Sequence, residues 1–221
     1  MILSKTFFPT IEELTILIQI FRLKKYWEAR LRKFGKRSVL NYGYSDSEIV
    51  KVTERHKELT FPVLKNHLQG WEKTILDLGC GHGRFTPDLA NMLSGKALGF
   101  DLSEELVRLA PQDPRVDYQS ADSTNLPLED SSIDVVWIFQ MLGGLRGIIL
   151  RKTVQEIRRV LKNNGLLFLV ENTTNKPSAR TWSFRPGHVY RQLFPFVDLR
   201  QELTFPDLGE RVSILAGRKQ E

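Results

Sequence analysis

The stretch "ILDLGCGHGRF", residues 75–85, sets Gly79, Gly81 and Gly83 within five positions, directly behind an apolar run that carries the carboxylate of Asp77. Glycines at such a bend let the chain turn tightly and bring backbone N–H groups into contact with a ligand that any Cβ would hold away. Two further acids follow at informative spacing. Asp101 in "GFDLS" lies about 20 residues on, where an acid in nucleotide-binding sheets reaches both hydroxyls of a ribose. Asp122 in "SADSTNLP" is suited to accept from an exocyclic amine such as adenine N6. Acids around one glycine turn would repel a pyrophosphate and attract a cationic, amine-bearing ligand. Each acid taken singly has a plainer use as a helix cap or loop residue, and Asp122 could simply cap the turn before Leu126. Their joint placement at successive strand ends is what argues for a site. Cys80 reads as a small residue tolerated by a tight loop, since nothing adjacent would activate its thiol.

These residues need a scaffold that gathers strand ends. From Lys73 onward short apolar segments alternate with helical ones, the pattern of a parallel sheet covered on both faces. Strands are expected at 74–78, 96–100, 115–119, 133–139 and 165–171, with helices near 84–93, 103–110 and 147–162. A short helix at 187–194 and two extended segments, 196–205 and 211–218, joined through "PDLGE", then read as a hairpin closing one sheet edge. Upstream, Ile11, Leu14, Leu17, Ile18, Phe21 and Leu23 recur at roughly helical spacing within 10–34, with Thr10 as the start signal and Gly35 as the stop. A capping box of Ser45 and Glu48 opens a second helix toward Leu68, which Pro62 should kink or break.

Composition bounds the rest. The chain of 221 residues, 41% hydrophobic and 26% charged, suits one full-sized domain with an appended element. A single cysteine excludes an intrachain disulfide or a cysteine-built metal site and points to a reducing, cytoplasmic compartment. The apolar core from Leu14 to Phe21 is far short of the roughly 20 residues of a membrane span and lacks the marks of a secretory leader. The net charge of +6 is concentrated in "RLKKYWEARLRKFGKR", residues 22–37, where eight basic residues face one acid. Such a patch suits a nucleic acid, an anionic membrane surface or a phosphorylated substrate, and equally a solvated helix face.

In order and spacing, "LDLGCGHGRF", "GFDLS", "ADSTNLPLEDSSIDVVWIF" and "LKNNGLLFLVE" resemble the successive motifs of class I S-adenosylmethionine-dependent methyltransferases. The resemblance implies a doubly wound, mostly parallel seven-stranded Rossmann-like α/β sheet with a C-terminal antiparallel hairpin. It implies a cofactor-binding domain over 71–221, preceded by an N-terminal helical extension or lid over 1–70. It places the methionine part of S-adenosylmethionine over Gly79, Cys80 and Gly81, with Asp77 near its ammonium group. Asp101 would hold the ribose, Leu102 would lie against the adenine, and Asp122 with the backbone of Ser123 would take the adenine amine. Phe139 and Gln140 would floor the site near the sulfonium.

Methyl transfer is an in-line displacement, so a hydroxyl acceptor needs a base while a carboxylate does not. His56 and His67 read as surface or packing residues, and His82 as pointing to solvent. His188, opening the short helix before the hairpin, is the candidate base. Tyr42 and Tyr44 in "NYGYS" would close the methionine end of the site or else pack the extension onto the sheet, and "ENTT" from Glu171 would meet a polar acceptor or cap a turn. "FQMLGG" after the fourth strand is not the Asn/Asp-Pro-Pro-aromatic motif of nucleic-acid N-methyltransferases. No cysteine is placed for cytosine C5 chemistry, and no paired-glutamate hairpin of the protein-arginine type occurs. These absences favour a small-molecule or glycan acceptor methylated on oxygen. The alternatives are an RNA methyltransferase using the basic helix and a non-catalytic cofactor-binding partner subunit.

Overall fold

In a computed structural model, which describes residues 9–41 and 43–220, the apolar runs form a sheet whose central strands are buried on both faces. In chain order the elements are α1 (Ile11–Phe34), α2 (Ile49–His67), β1 (Thr74–Leu78), α3 (Thr86–Leu93), β2 (Lys96–Asp101), α4 (Glu104–Val107) and β3 (Val116–Ser120). Then come β4 (Ile133–Phe139), α5 (Gly147–Val160), β5 (Leu161–Asn172), α6 (Gly187–Leu193), β6 (Arg200–Asp207) and β7 (Glu210–Arg218). Every residue of β4, "IDVVWIF", is buried, and successive side chains go to opposite faces. Val135, Trp137 and Phe139 join Leu64 of α2 and Leu89 of α3 in one core, while Val136 and Ile138 join Ile149 and Ile157 of α5 in the other.

The strand order is β3-β2-β1-β4-β5-β7-β6, parallel from β3 to β5, with β7 antiparallel to both neighbours. From β1 the chain winds outward through β2 and β3, then returns to the other side of β1 as β4. A crevice therefore opens at the carboxyl ends of β1 and β4, the switch point where such sheets take ligands. The terminal hairpin is tighter than "PDLGE" suggested. Pairing runs to Asp207 and Glu210, and the two-residue loop is Leu208 and Gly209 at φ +49 and +77. Positive φ at both positions matches the twist of the strands it joins.

Two expectations for the N-terminal region are corrected. Helix α2 runs unbroken through Pro62. Proline inside a helix costs about 3 kcal/mol, but Leu64 is fully buried and Leu59, Phe61 and Val63 pack against the same core, so tertiary burial holds the helix together. Helix α1 starts at Thr10 in a capping box with Glu13, as expected, but turns a different face inward. Ile16, Ile20 and Leu23 pack on the core, whereas Ile11, Leu14, Leu17, Ile18 and Phe21 are exposed. The face chosen is the one that meets the sheet's covering layer around α5; apolar periodicity alone did not distinguish it from the other.

The boundary expected at residue 70 runs through a hydrogen-bonded knot. Buried Glu72 accepts from the backbone N–H groups of Gln69 and Gly70 and from Arg218 of β7 at 2.7 Å. No described helix is long and apolar enough to cross a membrane.

Candidate cofactor and acceptor cleft

A partly open cleft lies over the crevice. Asp77, Gly79, Cys80, Gly81, Asp101, Leu102, Asp122, Ser123, Phe139 and Gln140 all line it. Tyr42 lies outside the described residues. The structure thus brings together every described residue expected to touch the cofactor, delivered by the ends of four strands, β1 to β4, and the loops beyond them.

The glycine turn is left-handed at Gly79 and Gly81, with φ +81 and +58. A Cβ on Gly79 would stand 2.5 Å from Met141 Cγ, and one on Gly81 2.7 Å from Val39 Cγ1. The turn is anchored by Gly79 and Cys80 donating to Phe100 O, and by Gly81 donating to Asp101 Oδ2 at 2.9 Å. Asp101 Oδ1 also accepts from Ser103 N. Burial holds the Asp101 carboxyl above the usual carboxylate range against these two N–H donors.

Asp77 is fully enclosed. Burial pushes its carboxyl up to about 7, opposed by the Thr86 hydroxyl that donates to it at 2.6 Å and by the Arg84 charge. Asp122 lines the cleft and at the same time serves the plainer role weighed for it, since both oxygens accept from Thr124 in a capped turn. Burial, then the Asp77 and Asp101 charges, push the Cys80 thiol far up, which keeps it protonated.

Sequence reasoning missed the support behind the floor. Gln140 sits at φ +47, a conformation side chains rarely adopt and which recurs where a site demands it. Arg84 lines the cleft beside it, lying over the Phe85 and Phe139 rings at 4.3 and 4.8 Å. Burial lowers the Arg84 guanidinium to about 10, opposed first by Asp77, so it remains charged at neutral pH. Behind these residues Asp207 accepts from the Tyr44 hydroxyl and, at 3.5 Å, from the Gln140 amide. His56 Nδ1 lies 3.2 Å from Arg84, and its Nε2 is 3.7 Å from Asp207, beyond hydrogen-bond reach. His56 is therefore a packing residue, as expected, but one set in a buried polar layer rather than in plain core.

Burial, then the bond to Asp207, push the Tyr44 phenol up to about 12. Tyr44→Phe is expected to lower the free energy of unfolding by about 1.5 kcal/mol, the worth of a buried hydrogen bond to a charged acceptor, read from urea denaturation. The loss should shrink in acid. Burial raises the Asp207 carboxyl, but the Tyr44 hydroxyl and the Gln140 amide that donate to it, with the His56 ring close by, outweigh burial and hold its pKa below the usual range, so its stabilisation is lost as pH falls through that value.

Other candidates fall elsewhere. His188 is exposed on the first turn of α6 and is absent from the cleft lining, because α6 is held to the core through Tyr190 on its opposite side. His188→Ala is accordingly expected to leave cofactor affinity and turnover within about twofold of the parent, in assays of binding and methyl transfer. His82 is buried rather than solvent-facing, turned inward between the left-handed Gly81 and Gly83, and burial lowers its pKa to about 4. Glu171 caps a turn. It accepts from the backbone N–H groups of Met141 and Leu142 at 2.9 and 2.7 Å, and burial raises its carboxyl to about 7. No group of three or more His, Cys, Asp or Glu side chains among the described residues is arranged to hold a metal ion.

Comparison with known proteins agrees with this geometry. The profile described as "Methyltransferase domain" matches residues 76–169. An uncharacterized methyltransferase-like protein of Schizosaccharomyces pombe is 31% identical over 55% of this chain and 57% of its own length. A phosphoethanolamine N-methyltransferase of Zea mays is 27% identical over 76% of this chain and 33% of that protein. The chain thus spans between a third and three-fifths of the length of these relatives. Among solved structures, the [4+2]-cyclase SpnF superposes with a TM-score of 0.66 over 96% of this chain and 97% of that one, at 16% identity, a likeness of fold. Together the matched segment and the relatives lead to one statement: residues 76–169 are similar to the methyltransferase domain, and the relatives that share this segment are methyltransferases.

Proposed function

We propose that the protein transfers the methyl group of S-adenosylmethionine to a small-molecule or glycan acceptor, on oxygen, in a reducing compartment. The observation that carries this reading is the convergence of Asp77, the Gly79–Gly81 turn, Asp101, Asp122 and Gln140 on one cleft at the sheet's switch point. The residues present fit the cofactor chemically. Enclosed Asp77 offers a carboxylate to an ammonium, Arg84 a cation to a carboxylate, and Asp101 acceptors to a pair of hydroxyls, while Leu102, Leu106 and Phe100 give apolar cover for a purine. When bound, the cofactor supplies a methyl group activated on a sulfonium.

The chain's own part is to orient the reactants and exclude water. Phe139, fixed under Arg84, and Gln140, tied to Asp207, shape the floor where the acceptor must approach. Ile20, Leu23 and Trp27 of α1 wall the cleft with apolar surface and, with Val39 pressed on Gly81, make the N-terminal segment a lid. Among the described residues, no histidine lines the cleft. That suits an acceptor oxygen that is already anionic, or one that brings its own base.

The test is to incubate the protein with S-adenosylmethionine labelled in the methyl group and fractionated cell extract. Label entering a small-molecule or glycan fraction supports the reading, and alkaline stability of the product separates an ether from an ester. Label entering RNA or protein overturns the acceptor class. Tight cofactor binding with no transfer to any fraction favours a non-catalytic subunit.

A further inference from the structure

Helix α1 has two apolar faces. One, through Ile20, Leu23 and Trp27, walls the cleft; the other leaves Ile11, Leu14, Leu17, Ile18 and Phe21 between 45 and 86% exposed. These five recur at steps of three and four, so they form one stripe along the first three turns. Continuing down the helix by the same steps, Leu17 leads to Lys24 and Phe21 to Lys25, and Arg32 follows one heptad after Lys25. Arg22, Lys25, Arg32, Lys33 and Lys36 are exposed. The outward surface therefore changes from aliphatic and aromatic to cationic along its length.

We propose that this surface of α1 docks on an anionic lipid bilayer, with the stripe from Ile11 to Phe21 entering the acyl boundary and the cations beyond it meeting lipid phosphates. A helix lying in the interface plane needs both parts, and its binding scales with buried apolar area plus attraction to anionic headgroups. Other partners use only half of the surface. A nucleic acid would engage the cations and leave the isoleucines and leucines in water. A second copy paired antiparallel would lay the apolar half on the charged half, and paired parallel would set like charges together. Glu28, the one acid among residues 22–37, is already taken by Lys25 at 2.9 Å.

The experiment is flotation of the full chain with vesicles of phosphatidylcholine alone or containing phosphatidylserine. The parent is expected to float with the anionic vesicles, less as salt rises, and weakly with neutral ones. Leu17→Ser with Phe21→Ser, and separately Arg22→Gln with Lys33→Gln, should each weaken this by about tenfold or more while leaving cofactor affinity within about twofold, since none of the four lines the cleft. Cofactor affinity also shows that each variant is folded. No flotation of the parent overturns the proposal, as does undiminished flotation of the Leu17 and Phe21 variant. So does a dimer, seen by light scattering, that this variant loses, or an RNA complex that the charge variant loses while vesicle binding is unaffected.

Discussion

The Asp101→Ala protein is expected to bind S-adenosylmethionine about 10- to 150-fold more weakly than the parent, equivalent to about 1.5 to 3 kcal/mol for charge-assisted hydrogen bonds. Two losses add. The carboxylate that would accept from the ribose hydroxyls disappears, and the Gly81 N–H that it holds at 2.9 Å is released. The second loss loosens the turn on which the methionine part would lie, so the effect should exceed that of removing a ribose contact alone. Asp101→Asn keeps one acceptor oxygen and should fall between the two. Calorimetric titration of the folded variants decides it, and unchanged affinity in the alanine variant would remove Asp101 from the ribose.

Equally large is the pH dependence set by Asp77. Its carboxyl, raised to about 7 by burial, is protonated below that pH in the free protein, whereas a bound ammonium requires it ionised. Because this acid's pKa is raised in the folded state, ionising it opposes folding as pH climbs toward 7, and the cofactor's cation offsets that cost. Binding must then release a proton in mildly acidic solution. Affinity should fall by about tenfold per unit below pH 7, and should weaken again above about 8 as an α-amino group loses its charge. Glu171 also titrates near 7, but it is committed to the N–H groups of Met141 and Leu142. The Asp77→Asn variant separates the two: its affinity should be low at neutral pH and nearly flat through the acid range. A parent whose affinity does not change between about pH 5 and 7 would show that no ammonium meets Asp77.

What the sequence disclosed was whatever rests on local rules. Glycines at positive φ, strand-end acids and period-two apolar runs each announce themselves within a few residues, and for this reason β1, β4 and the Gly79–Gly81 turn were legible without coordinates. The buried layer behind Gln140 was not, because Tyr44 and Asp207 lie 163 residues apart and meet only when β6 closes the sheet edge. Arg84 stood inside a motif read for its glycines. Its guanidinium matters because the fold places Phe139 and His56 around it. Helix α1 was legible as a helix but not as to which side faces in, since it is apolar around most of its circumference. Pro62 was read by its average cost, and the burial of Leu64 outweighs that cost in this position.

Val39, resting against Gly81, has a thermodynamic corollary. The helix whose far side would meet lipid belongs to the same segment that touches the turn under the cofactor, so the two occupancies share one equilibrium. By reciprocity, whatever factor vesicles contribute to cofactor affinity, the cofactor must return to vesicle affinity. In a protein built this way, any change in cofactor affinity at a surface is matched by an equal change in surface affinity with the cofactor bound, so that location and readiness report on each other.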